Sequence, residues 1–254
     1  ATGYDNNQTC PGGNPTGFHG THVNGTVAGD RLSTTTPSIA ARDSGDGMAP
    51  GAQILFQDVG NDTSGCLSIT NFAATLKQAQ DAGAGLHSAS WGNSSAGAYG
   101  GNDAAADSTS RIERDLVAII AAGNAGSSTG SVGSPGVGKN VITVGALGNG
   151  NSTTIASFSS RGPTDDNRIK PDIVAPGSST VSAAGDTAKG DTVESGTTSS
   201  KSGTSMATPT ISGAATLARQ YLMDGFYPRG EVTPEDAYRP SGMAMKALLL
   251  NSTA

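Results

Sequence analysis

The 254-residue sequence predicts an α/β fold, with a mostly parallel central sheet flanked by helices on both faces. Three observations carry that expectation. Short runs such as Leu116–Ala122 are almost wholly apolar, the pattern of strands buried on both faces rather than half-solvated ones. Segments of helical periodicity alternate with these runs, as the crossovers between parallel strands require. Glycine at 37 positions, with only 4% aromatic residues, implies tight turns around a small aliphatic core. The length suffices for one substantial core, so residues 1–254 read as a single domain.

The elements follow in order. Residues 1–18 are polar and turn-like. "HGTHVNGTVAG" (His19–Gly29) reads as a helix despite its glycines, because Val23 and Val27 are four apart. "AQILFQDVG" (Ala52–Gly60) reads as a buried strand. Ser68–Gly83 is the clearest amphipathic helix, with Ile69, Phe72, Leu76 and Ala79 on one face and Gly83 as its stop. Gly85–Gly92 is a strand with a sharp end, and Asp103–Asp115 a helix. Leu116–Asn124, Asn140–Leu147 and Lys170–Gly177 contribute further strands. Thr208–Met223 and Ser241–Leu250 close the chain as helices.

Bulk chemistry narrows the function. A formal charge of -6, without a Lys/Arg cluster, argues against nucleic acid as a partner. The longest apolar run is far too short to span a bilayer, so membrane insertion is not expected. No Gly-rich phosphate loop follows a strand, which argues against nucleotides. His19, His22 and His87 lack further ligands at metal-binding spacing. Cys10 and Cys66 lie in Gly/Asn/Thr-rich stretches, either as a disulfide suited to an extracellular protein or as two free small residues.

Sheets of this class place their sites beyond the C-terminal strand ends. Trp91, Gly92 and Asn124 fall at such ends, and Ser205 falls where a loop meets a helix. Ser205 is then either a helix N-cap or a nucleophile near the positive helix end. Asn124 either caps a turn or donates its amide to an oxyanion. His19 needs only to come near Ser205 to act as a general base.

Three blocks, in this order, resemble those of the subtilisin-like serine peptidases, the subtilases. "HGTHVNGTVAG" is similar to the histidine block, "AAGNAG" to the oxyanion-asparagine block and "GTSMATP" to the nucleophile block. "SASWGN", "SPGVGKNVITVGA" and "FSSRGPTDDNRIKPDIVAPG" also resemble family segments, and the likeness runs from about His19 to Ala254. It implies a three-layer subtilisin-like fold and a serine endopeptidase that cleaves extended polypeptides through an acyl-enzyme. Ser205 is then the nucleophile, His19 the general base, His22 a structural residue and Asn124 the oxyanion donor. Ser90, Trp91 and Gly92 resemble one substrate-pairing segment, and Gly65, Cys66 and Leu67 the edge strand opposite. Ser134, Pro135 and Gly136 resemble a wall of the pocket for the side chain before the scissile bond.

The same resemblance implies a secreted monomer, no cofactor for the chemistry, and structural calcium in surface loops. Asn61–Ser64 and Asp165–Asn167 are oxygen-rich stretches that suit such a role, but neither has an EF-hand pattern, and solvated turn is the plain alternative. One departure stands out. The family's orienting Asp lies in an Asp-Thr/Ser-Gly block a few tens of residues before the histidine, and "ATGYD" has Ala1 in place of that acid. Asp5 is the nearest carboxylate, in the wrong context. The expectation is a catalytic domain truncated at its N-terminus, and possibly at its C-terminus, with weak activity of its own. The alternative is an inactive peptide-binding domain.

Overall fold

The computed structural model describes residues 18–31, 45–60, 67–185 and 197–252. In chain order the elements are α1 (His19–Ala28), α2 (Phe72–Asp81), β1 (Leu86–Ala89), α3 (Gly101–Ile112), β2 (Val117–Ala121), β3 (Ile142–Leu147), β4 (Ile173–Pro176), β5 (Thr180–Ala183), β6 (Thr198–Lys201), α4 (Thr204–Met223), a 3-10 turn (Pro234–Asp236) and α5 (Gly242–Asn251). They fall into two compact units: Ala1–Asn71 with Val181–Ser200, and Phe72–Thr180 with Lys201–Ala254.

In the first unit, α1 packs against the β5–β6 ribbon. Gly25 makes that approach possible: a Cβ there would lie 2.6 Å from Ser182 Oγ and 2.7 Å from Ala183 Cβ. His22 is fully buried, its Nε2 donating to the Ser199 carbonyl at 3.1 Å. The Ser182 hydroxyl donates to the His22 carbonyl at 2.9 Å. Met48 and Ala49 donate their N–H groups to Thr26 and Val27, which ties the following loop to the helix end.

The second unit holds a four-stranded, all-parallel sheet in the order β1-β2-β3-β4. β2 is buried along its whole length, as its apolar run requires. Val117 and Ile119 join Ile142, Val144, Ile173 and Ala175 in a core with Ala207, Ile211 and Ala215 of α4 and Met245 and Leu249 of α5. The intervening Ala118 and Ile120 point the other way, as strand alternation dictates, and α3 packs on β2. α2 in turn packs on α3, burying Phe72, Leu76 and Ala79. The sheet is thus flanked by helices on both faces, the architecture the sequence predicts.

A buried lysine braces the far strands. Lys170 donates to Asp172 at 2.6 Å and to Thr143 Oγ1 at 2.7 Å, and Asp172 also accepts the Thr143 N–H at 2.7 Å. Lys246 of α5 reaches the other Asp172 oxygen at 3.5 Å. Desolvation pushes the Lys170 ammonium down to about 8, with Asp172 opposing that shift.

Several expectations need correction. Ala52–Gly60 is not a buried strand: Ile54, Leu55 and Phe56 are about half exposed, and only Gly60 bridges, to Leu67. Apolar, β-prone residues form a strand only where a neighbouring ladder accepts their backbone, and none does among the described residues. α2 starts at Phe72 rather than Ser68, so Ile69 precedes it. β5 and β6 come from Thr- and Ser-rich stretches that carry no apolar run. α4 starts at Thr204, four residues before the predicted Thr208, and Pro209 therefore lies inside it.

Candidate active site

Three chain segments of the second unit converge at the C-terminal ends of β1 and β2. Ser90 directly follows β1, Asn124 comes three residues after β2, and Ser205 is the second residue of α4. Gly203, before the helix, has φ +155°, a conformation that favours glycine and turns the chain sharply into the first turn.

That geometry removes the N-cap reading of Ser205. The capping position is Gly203, and no side-chain cap is made there. The Ser205 hydroxyl instead donates to the Ser90 carbonyl at 3.1 Å, and the Ser90 hydroxyl donates to the Ser205 carbonyl at 2.9 Å. The two serines exchange side-chain-to-backbone bonds across 115 residues.

Asn124 substitutes for the missing cap. Its amide oxygen accepts the Thr204 N–H at 2.9 Å and the Thr204 hydroxyl at 3.0 Å. Thr204 is buried, and its Oγ1 accepts the Gly123 N–H at 3.2 Å. A backbone N–H can only donate, so the amide must turn its oxygen to Thr204 and its NH2 outward. Asn124 itself is exposed. The N–H of Ser205, one of the first-turn donors that a helix leaves unmet, faces the same helix end. The Asn124 amide and the Ser205 N–H therefore both sit at the positive pole of a 20-residue helix whose second residue is Ser205.

The remaining predicted positions divide. Asn93 and Ser134 form an antiparallel bridge, the Asn93 N–H donating to the Ser134 carbonyl at 2.9 Å. This places Trp91 and Gly92 beside Ser134, Pro135 and Gly136, as two walls of one cleft would be. A Cβ on Gly92 would meet the Ser134 carbonyl at 2.9 Å, so the segments approach at backbone distance. Trp91 is braced edge-on by Phe72, ring centroids 4.9 Å apart, and Phe72 also meets His87 edge-on at 5.8 Å. Burial pushes the His87 imidazole down to about 4, so this histidine is neutral near pH 7. In the first unit, His19 opens α1 and Leu67 is about half exposed. Cys10, Gly65 and Cys66 lie outside the described residues, as does Asp5.

Sequence reasoning missed Thr204, whose hydroxyl orients Asn124, and the hydroxyl of Ser90, which it valued only for its backbone. Neither has a local signal, because each partner lies far away in the chain.

Of the expected calcium stretches, Asn61–Ser64 also lies outside the described residues. The second stretch, Asp165–Asn167, lies within the described residues. The Asp166 carboxylate is paired with Arg168 at 3.0 Å and accepts the Thr164 hydroxyl at 2.6 Å. Among the described residues no group of three or more His, Cys, Asp or Glu could hold a metal ion. No described helix is long and apolar enough to cross a membrane.

The profile of the subtilase family, peptidase S8, matches residues 3–254. The chain is 30% identical over 321 aligned positions to the serine protease/ABC transporter B family protein tagD of Dictyostelium discoideum, covering 92% of this chain and 17% of that protein. It is 38% identical over 148 positions to the serine protease AprX of Bacillus subtilis, covering 54% of this chain and 30% of that protein. Among solved structures, sphericase superposes with a TM-score of 0.64 at 27% identity, covering 92% of this chain and 68% of the other. The chain thus spans 17% and 30% of those two sequence relatives. With its parallel sheet, its helices on both faces and its serine–asparagine cluster at the strand ends, the chain belongs to the subtilase family.

Proposed function

We propose that the protein is a serine endopeptidase acting on extended polypeptides, with Ser205 as nucleophile, His19 as general base and Asn124 as oxyanion donor. The observation that carries this reading is the Thr204–Asn124 clamp, which holds the amide oxygen on the residue before Ser205 and turns the NH2 away from it. As Ser205 Oγ bonds to the substrate carbonyl carbon, His19 takes the hydroxyl proton. Negative charge gathers on the former carbonyl oxygen, where the Asn124 NH2 and the Ser205 N–H stabilise it. The intermediate collapses, the C–N bond breaks, and His19 returns its proton to the leaving amine. Water then hydrolyses the ester, with His19 again as base.

Ser90–Gly92 and Ser134–Gly136 line the substrate on this reading, and Gly65–Leu67 pair with its other edge, main-chain hydrogen bonds supplying affinity. An extracellular place of action is part of the same proposal, supported by the likeness of Phe158–Gly177 to secreted bacterial subtilases.

A fluorophosphonate probe tests it. The chain takes up the label at Ser205, and the Ser205→Ala chain does not. A wild-type chain that binds extended peptide yet never labels would instead be a non-cleaving peptide-binding domain.

A further inference from the structure

Pro209 creates a vacancy in the hydrogen bonding of α4. In a helix the carbonyl of residue i accepts the N–H of residue i+4. The residue four beyond Ser205 is Pro209, which has no N–H and whose ring crowds that carbonyl. Pro209 is buried well inside the helix, where it does not have the first-position tolerance that prolines enjoy. The Ser205 carbonyl, on the peptide of the proposed nucleophile, therefore lacks its regular helical donor.

The Ser90 hydroxyl stands in that place, 2.9 Å from the Ser205 oxygen. Its anchorage is firm. Ser90 continues from β1, whose last residue Ala89 is buried and paired in register with Ile120 of β2. Two residues earlier, on the same strand face, Ser88 Oγ is hydrogen-bonded to Ser212 Oγ at 2.8 Å. Ser205 and Ser212 are seven apart, on one face of α4. The strand end and the helix are thus stitched at two points by hydroxyl groups.

We propose that the Ser90 side chain is a positioning residue for Ser205, supplying to its carbonyl the donor that Pro209 removes. This rests on the reading of Ser205 as nucleophile. The strand-end hydroxyl fixes where that peptide sits. The Ser205 oxygen is thereby kept 3.1 Å from the Ser90 carbonyl.

A double-mutant cycle tests the substitution. Ser90→Ala lowers kcat about tenfold with KM changed less than about twofold, the scale of one carbonyl left without its donor. Ser90→Thr, which keeps the hydroxyl, restores most of the rate. In a Pro209→Ala background residue 209 again brings an N–H, and there Ser90→Ala costs less than about twofold. Equal losses in both backgrounds, or no loss from Ser90→Ala, overturn the proposal. If Pro209→Ala folds poorly, the near-isosteric pair Ser90→Thr and Ser90→Val decides, and equal rates overturn it. Absence of any turnover or labelling in the wild-type chain refutes the nucleophile reading instead. The same cycle read as Tm then judges the hydrogen bond itself: Ser90→Ala lowers Tm beside Pro209 and leaves it unchanged beside Ala, and equal shifts refute it.

Discussion

At Asn124 the behaviour of one amide is settled by a residue 80 positions away. Locally "AAGNAG" is only a turn sequence, and either end of the amide could face outward. Thr204 decides the matter by presenting two donors to the amide oxygen. Replacing Thr204 by Val keeps the backbone donor, removes the hydroxyl and leaves the Gly123 N–H without its acceptor. On the proposed reading, steady-state kinetics on Thr204→Val are expected to show kcat reduced about tenfold with KM little changed, because there only the charged transition state uses the amide. An unchanged kcat would mean that the backbone bond alone holds Asn124. The residues proposed to react stand in three short blocks of the sequence, whereas Thr204 and the Ser90 hydroxyl have no such signal. Aiming depends on partners brought close by folding, and no local pattern records that.

Among the elements, those dominated by burial were read well and those dominated by pairing were not. Leu116–Asn124 was legible because a continuous apolar run has nowhere to go but a sheet covered on both faces. Ala52–Gly60 carries the same chemistry and yet lies open, since composition cannot say whether a neighbouring strand is present to receive it. β5 and β6 escaped notice for the converse reason: Thr and Ser give no hydrophobic alternation, and their order comes from α1 pressed against them. That contact makes its own prediction. Gly25→Ala inserts a methyl 2.6–2.7 Å from Ser182 Oγ and Ala183 Cβ, where the backbone N of Ala183 lies only 3.0 Å away. The helix must lift off the ribbon, and the substitution is expected to destabilise the protein by about 1–3 kcal/mol in urea unfolding. The early start of α4 has a similar lesson. Its first N–H, that of Thr204, is met by Asn124 from outside the helix, so a search for a cap in the adjoining residues finds only Gly203.

For the whole molecule, two buried bases shape stability against pH from opposite ends. His87 holds its proton at about 4 in the folded chain against 6.5 when unfolded. As pH falls from 6.5 towards 4 the unfolded chain takes up a proton that the folded one refuses. Stability is therefore lost across that window and the loss is complete below it. Lys170 titrates at about 8 folded against 10.5 unfolded. Between those values the folded chain releases a proton that the unfolded chain keeps, so this site makes stability rise with pH. Urea midpoints measured from pH 4 to 10.5 are expected to show both slopes. His87→Phe should flatten the acid limb and Lys170→Met the alkaline one, and slopes that persist in both variants would assign them to other groups. Fold class was legible at this scale from alternation and apolar runs. The lysine beneath β3 and β4 was not, because "RIKPD" reads as a solvated charge run until Asp172, Thr143 and Lys246 enclose it.

The long separation between Asn124 and Thr204 has a bearing on biosynthesis. During translation the strand segments emerge well before α4, and neither the amide's orientation nor the seat of Ser205 exists until that last long helix has docked. On the proposed reading, a nascent or half-folded chain carries no working blade. Hydrolytic power arrives as the sheet closes, when the protein's own peptide bonds are already packed away from it.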